Sequence, residues 1–127
     1  MSLKTVSVDN APKAIGPYAQ GIVGGGFLFT AGQVGFDPAT MKLVEGDVAA
    51  QTRRVFDNLE AVLAGAGATL FDVVRAGVFL VDMADFAQMN EVFSARFGAH
   101  RPARSTVAVA ALPAGARVEI DLIVRVG

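Results

Sequence analysis

The chain has 127 residues, 53% hydrophobic and 18% charged, with a net charge of −1 and no cysteine. That length fits one domain, 1–127, with one real core. The missing cysteine excludes disulfides and thiolate chemistry, and the near-neutral charge gives no basic stripe of the kind nucleic acid binding needs.

Lys4 to Val8 reads as a first strand, and no apolar core segment of a signal peptide follows Lys4. Asp9 to Tyr18 is a loop with Pro12 and Pro17, and it carries the only tyrosine. Gln20 to Val23 and Phe27 to Ala31 are short strands joined by a turn at Gly24-Gly25-Gly26. The uncharged stretch from Ala14 to Phe36 holds seven glycines and a proline, which argues against a membrane span. A soluble, cytosolic protein is expected. Phe36 to Thr40 is a turn signal around Asp37-Pro38.

Asp47 is a good N-cap, and Val48, Thr52, Val55, Leu59, Val62 and Ala66 mark one helix face, ended by Gly65 and Gly67. Val73 to Val81 is rich in β-formers and predicts a central strand. A second helix runs from about Ala84 to Phe97 with the stripe Phe86, Met89, Phe93 and Phe97. After a loop from Gly98 to Ala103 come a strand at Ser105 to Ala110, a turn at Leu112 to Ala116 and a final strand from Arg117 to Val126. In that last strand Val118, Ile120, Leu122, Val124 and Val126 share one face, and Glu119, Asp121, Ile123 and Arg125 the other.

The order β-β-β-α-β-α-β-β predicts an α+β domain, a sheet with two helices on one face. Both alternating sets are apolar in most strands: Phe27 and Phe29 against Leu28, or Val73, Phe79 and Val81 against Val74, Val78 and Leu80. The face without helices is too apolar for water, so a homo-oligomer is expected on this ground alone.

Arg101 to Ile120 carries the chemistry. Arg104 stands at the mouth of one apolar strand and Glu119 inside the next. An arginine fork takes a planar carboxylate in two charge-assisted hydrogen bonds, and a carboxylate nearby can position or deprotonate a water. The same two residues could instead be an ion pair closing a hairpin, and the residues alone leave both readings open. His100 is the only histidine, so neither a metal site nor a Ser-His-Asp triad with Ser105 is expected. Gly24 to Gly26 lie between two strands and do not form a phosphate loop, which needs a helix after it. Tyr18, on the rigid Gly16-Pro17 loop, could close a pocket or simply pack. Asn90 could be a site residue or a solvated helix position, and Gly32-Gln33 ends a strand where backbone can approach a ligand.

Pro102-Ala103-Arg104-Ser105, Leu112-Pro113 and Val118-Glu119-Ile120 resemble the signature of the Rid family, the reactive intermediate (enamine/imine) deaminases also called YjgF-like proteins. Asn10-Ala11-Pro12, Ile15-Gly16-Pro17-Tyr18, Gly32-Gln33 and Asp85-Phe86 through Asn90 match in order, from about Asn10 to the C-terminus. The resemblance implies a chorismate-mutase-like α+β fold with a mixed six-stranded sheet. It also implies a homotrimer with active sites between neighbouring subunits, and no cofactor or metal. By the same resemblance Arg104 binds the substrate carboxylate, Glu119 holds or activates the hydrolytic water, and Tyr18 lines the cleft. The main chain around Thr106 contacts the substrate, Gly32 admits backbone approach, and Asn90 lies near the cleft.

Two residues depart from the best-known deaminases of the family. Ala31 stands where they have serine, so one donor to the carboxylate is missing, and Thr106 stands where they commonly have cysteine. Losing one neutral donor costs about 0.5–1.5 kcal/mol of binding. The expected activity is hydrolysis of 2-imino acids or their enamines, 2-aminoacrylate among them, to 2-keto acids and ammonia. The alternative that Ala31 keeps open is a non-catalytic trimeric module binding small 2-keto acids. Ribonuclease activity, a third idea, finds no basic groove to support it.

Overall fold

The computed structural model describes residues 2–127. Strands β1 (Lys4–Val6), β2 (Gly21–Gly24) and β3 (Phe27–Thr30) open the chain. A small hairpin, β4 (Phe36–Asp37) and β5 (Lys42–Leu43), precedes helix α1 (Val48–Gly65). Strand β6 (Val73–Leu80), helix α2 (Phe86–Phe97), strand β7 (Ala103–Ala108) and strand β8 (Val118–Arg125) complete it. The six-stranded sheet has the order β1-β2-β3-β8-β6-β7. All its pairs are antiparallel except β6 with β7, which are parallel and joined through α2. The expected mixed sheet with two helices is what forms.

Local chemistry explains the boundaries. Gly25 and Gly26 both have positive φ, 61° and 83°, as a two-residue hairpin between Gly24 and Phe27 requires. The first strand stops at Val6, short of the expected Val8. The Gln20 side chain takes over there, its Oε1 accepting from the Val8 N–H at 2.7 Å and its Nε2 donating to the Val8 carbonyl at 3.1 Å. Asp47 caps α1, accepting from the Ala50 N–H at 3.0 Å. A 3-10 turn, Met83–Asp85, occupies the stretch in which α2 was expected to begin.

One face of the sheet carries both helices. Val118, Ile120, Leu122 and Val124 of β8 and Ala76, Val78 and Leu80 of β6 are buried there against Val55, Leu59 and Val62 of α1 and Met89 and Phe93 of α2. Phe56 of α1 meets Phe93 and Phe97 edge-on, at centroid distances of 5.7 and 5.6 Å, locking the helices together. A register shift between Val73 and Arg75 corrects the expected alternation: Val73 is buried with the helix-side set and Val74 is exposed. On the other face Phe27, Phe29 and Val107 remain exposed. The apolar second face expected from the strand pattern is therefore real.

Strands β7 and β8 do not pair; β6 lies between them. The reading of Arg104 and Glu119 as an ion pair closing a hairpin fails for that reason.

Candidate active site

Arg104 is placed by its strand register. It pairs with Ala76, whose side is the helix side, so its guanidinium reaches α2. There it lies 4.7 Å from the Phe93 ring centroid and 5.5 Å from that of Phe86. It also donates to Asn90 Oδ1 at 2.7 Å. Phe86, Asn90 and Phe93 fall on one face of α2 at helical spacing, and that face builds the cradle. Among the described residues no carboxylate lies within ion-pair distance of Arg104. A cation fixed in this way without a counter-charge is ready for an anionic ligand.

Thr106 follows two residues on, with the same facing, and its Oγ1 is buried without a hydrogen-bond partner. Strand β7 is a sheet edge, so its outward main-chain groups are free of β6 and can meet a ligand or another chain.

Glu119 sits elsewhere. It pairs with Phe79, on the face without helices, and its carboxylate rests against Gly32. A Cβ at Gly32 would fall 2.7 Å from Glu119 Oε2, so only glycine leaves the carboxylate this position. Desolvation raises the Glu119 pKa above the ordinary carboxylate value, and the charge of Asp121 on the same face adds to the effect. Asp121 is raised too, mainly by desolvation, with the Gly77 N–H and Arg75 working against the shift.

Glu119, Gly32 and Tyr18 share one cavity of about 400 Å³, together with Gln33 and the apolar groups Ile15, Val34, Phe36, Met41 and Pro113. The tight turn at Gly16, where the Tyr18 N–H donates to the Gly16 carbonyl at 2.9 Å, sets the tyrosine at its edge. Ala31 adjoins Gly32 at the end of β3, its N–H donating to the Gln20 carbonyl at 2.9 Å.

The expected site residues thus form two groups. Arg104, Asn90 and Thr106 make one; Tyr18, Gly32 and Glu119 make the other, with Ala31 beside them. Within one chain they lie on opposite faces of the sheet and do not meet. Two features escaped the sequence reading. Met41 and Ala114, the only non-glycine residues with positive φ among those described, both line the cavity, and nothing in Met or Ala signals that backbone. The buried Asp85 takes a two-bond fork from Arg117 at 3.1 and 2.6 Å, tying the start of β8 to the start of α2.

A mixed six-stranded sheet of this order with two helices is the fold of the L-PSP class of small α+β proteins. The family described as Endoribonuclease L-PSP matches residues 8–126, and the chain belongs to it, the Rid or YjgF/RutC family. It is 51% identical over 125 residues to protein DfrA of Myxococcus xanthus, covering 97% of this chain and 95% of that one. It is 44% identical over 123 residues to the 2-iminobutanoate/2-iminopropanoate deaminase of Escherichia coli K12, covering 94% and 95%. The crystal structure of RidA from an Antarctic Psychrobacter superposes with a TM-score of 0.93 at 46% identity, covering 97% and 99% of the two chains.

Proposed function

We propose that the protein is a homotrimeric imine deaminase whose active site is completed between two copies. Its substrates are reactive 2-imino acids or their enamine tautomers, 2-aminoacrylate among them, and its products are 2-keto acids and ammonia. The observation that carries this reading is Arg104: a guanidinium held by Asn90 and two aromatic rings, with no carboxylate of its own chain to neutralise it. The 44% identity to a deaminase over nearly the whole chain supports the reaction class.

Arg104 of one copy holds the substrate carboxylate. The main chain at Thr106 and Ala31 together with Gly32 offers close backbone approach, and Tyr18 covers the cleft. Glu119 of the neighbouring copy holds a water against the imine carbon. The water adds to the C=N bond and its proton passes through Glu119, giving a carbinolamine. Protonation of the amine and collapse of the C–O–H group to a carbonyl release ammonia. An imine is already electrophilic, so positioning and proton transfers between water, Glu119 and the leaving amine suffice for residues of these types. The raised pKa of Glu119 suits a group that takes and returns a proton.

The copies meet through the face that bears Phe27, Phe29 and Val107, which a monomer would leave in water. Ala31 favours a second reading, a 2-keto acid binding module, because it lacks the hydroxyl donor of the best-known deaminases. Generating 2-imino acids in situ with an amino-acid oxidase separates the two readings. Keto-acid release accelerated by this protein and abolished by Arg104→Ala, in a variant that still assembles, supports the deaminase. Keto-acid binding without acceleration points to the module.

A further inference from the structure

The reaction proposed above uses the carboxylate and the C=N group of its substrate and leaves the side chain without a place. The imine carbon is trigonal, so once Arg104 fixes the carboxylate and Glu119 the attacking water, the direction of the third substituent is fixed as well. The cavity at Glu119 measures about 400 Å³ on one chain, to which the neighbouring copy adds its own wall. Lys13 also borders it, and its apolar lining includes Ile15, Val34, Phe36, Met41 and Pro113.

Two of these belong to the β4–β5 hairpin, and that hairpin is anchored. Asn58 of α1, fully buried, donates from Nδ2 to the Phe36 carbonyl at 2.9 Å and the Val34 carbonyl at 3.3 Å. Arg54 Nε in turn donates to Asn58 Oδ1 at 3.1 Å. Met41 keeps a left-handed backbone, φ 58°, which side-chain-bearing residues avoid unless the surrounding structure demands it. Its N–H donates to the Asp37 carbonyl at 2.7 Å, which closes the turn and holds the residue against the cavity. A thioether there adapts to the shape of an apolar guest.

We infer that this hairpin is the specificity wall of the site, with Phe36 and Met41 receiving the substrate side chain. The substrate class is then 2-imino acids with extended apolar side chains, such as those derived from leucine and methionine, ahead of the three-carbon imine. The inference rests on the deaminase reading.

The test measures kcat/KM for imino acids generated from alanine, 2-aminobutyrate, norvaline, leucine and methionine. It also measures calorimetric binding of the matching 2-keto acids. Specificity rising by about fourfold per added methylene is expected, the ratio that burial of one CH₂ supplies. Met41→Trp, which fills the cavity, lowers the leucine-to-alanine ratio at least tenfold, and Met41→Ala moves the optimum to longer chains. A flat or falling series, or a Met41→Trp variant with an unchanged ratio, overturns the inference. Should no imino acid be hydrolysed, the deaminase reading fails, and the keto-acid affinities still decide the wall: tighter binding of longer chains upholds it and equal binding removes it.

Discussion

Arg104 and Glu119 project from opposite faces of one sheet, with β6 between their strands. Neither has an ion-pair partner in its own chain among the described residues. An unpaired, half-buried cation and an unpaired, half-buried carboxylate are costly to hold in a monomer. Both become sensible if a second copy brings each to the other's ligand.

The pKa shifts set a pH dependence of stability. Glu119 and Asp121 are both raised in the folded protein. Between the unfolded and folded values the native state binds more protons than the unfolded chain, so these groups destabilise progressively as pH rises through that window. Below it their contribution to stability is fully present. Glu119→Gln is expected to raise Tm at pH 7 and flatten its decline above pH 4 while removing imine hydrolysis. Thermal unfolding from pH 4 to 8 checks the first part. Wild-type turnover, measured across the same pH range, is expected to fall as pH drops through the raised Glu119 value, since only the carboxylate form could accept the proton from water.

Gly32→Ala separates the site from the fold. Its new Cβ would meet the mobile end of Glu119 at 2.7 Å, and that side chain can swing aside. The expected result is a stability change within about 1 kcal/mol with kcat reduced about 10²-fold by displacement of the carboxylate. Urea unfolding alongside steady-state kinetics measures both.

Arg117 and Asp85 form a structural clamp. Arg117→Ala leaves the Asp85 carboxylate, 8% exposed, without its fork. The expected cost is about 2–3 kcal/mol, less than for a fully buried pair because the arginine side is half open to water. Asp85→Asn with Arg117→Ala is expected to recover part of that loss, and a double-mutant cycle by denaturant unfolding gives the coupling.

Ala31→Ser restores a donor beside Gly32. Substrate or keto-acid binding is expected to tighten by about 0.5–1.5 kcal/mol, read as a lower KM or as a lower calorimetric Kd.

Much of this was legible in the chain. The alternation of β8 separates Glu119 from Val118 and Ile120, and Asp47 with its apolar stripe announces α1, because those signals are local. The β4–β5 hairpin shows in the sequence only as the turn signal around Asp37-Pro38, since its strands are two residues each and too short to show a period. The partition of the site was hidden for a different reason. Fifteen residues separate Arg104 from Glu119, but β7 pairs in parallel with β6 rather than with β8, and only that pairing decides which face each side chain takes. The cavity wall at Met41 depends on a positive φ that its side chain does not advertise.

The shared site is tested most directly by complementation. Arg104→Ala and Glu119→Gln are each expected to be inactive alone while still assembling. Co-expressed in equal amounts, they place an intact arginine beside an intact glutamate in about a quarter of the sites of a randomly mixed oligomer. Imine hydrolysis should therefore return to about a quarter of the wild-type level. Mixed assemblies as inactive as either variant alone would contradict a site shared between copies.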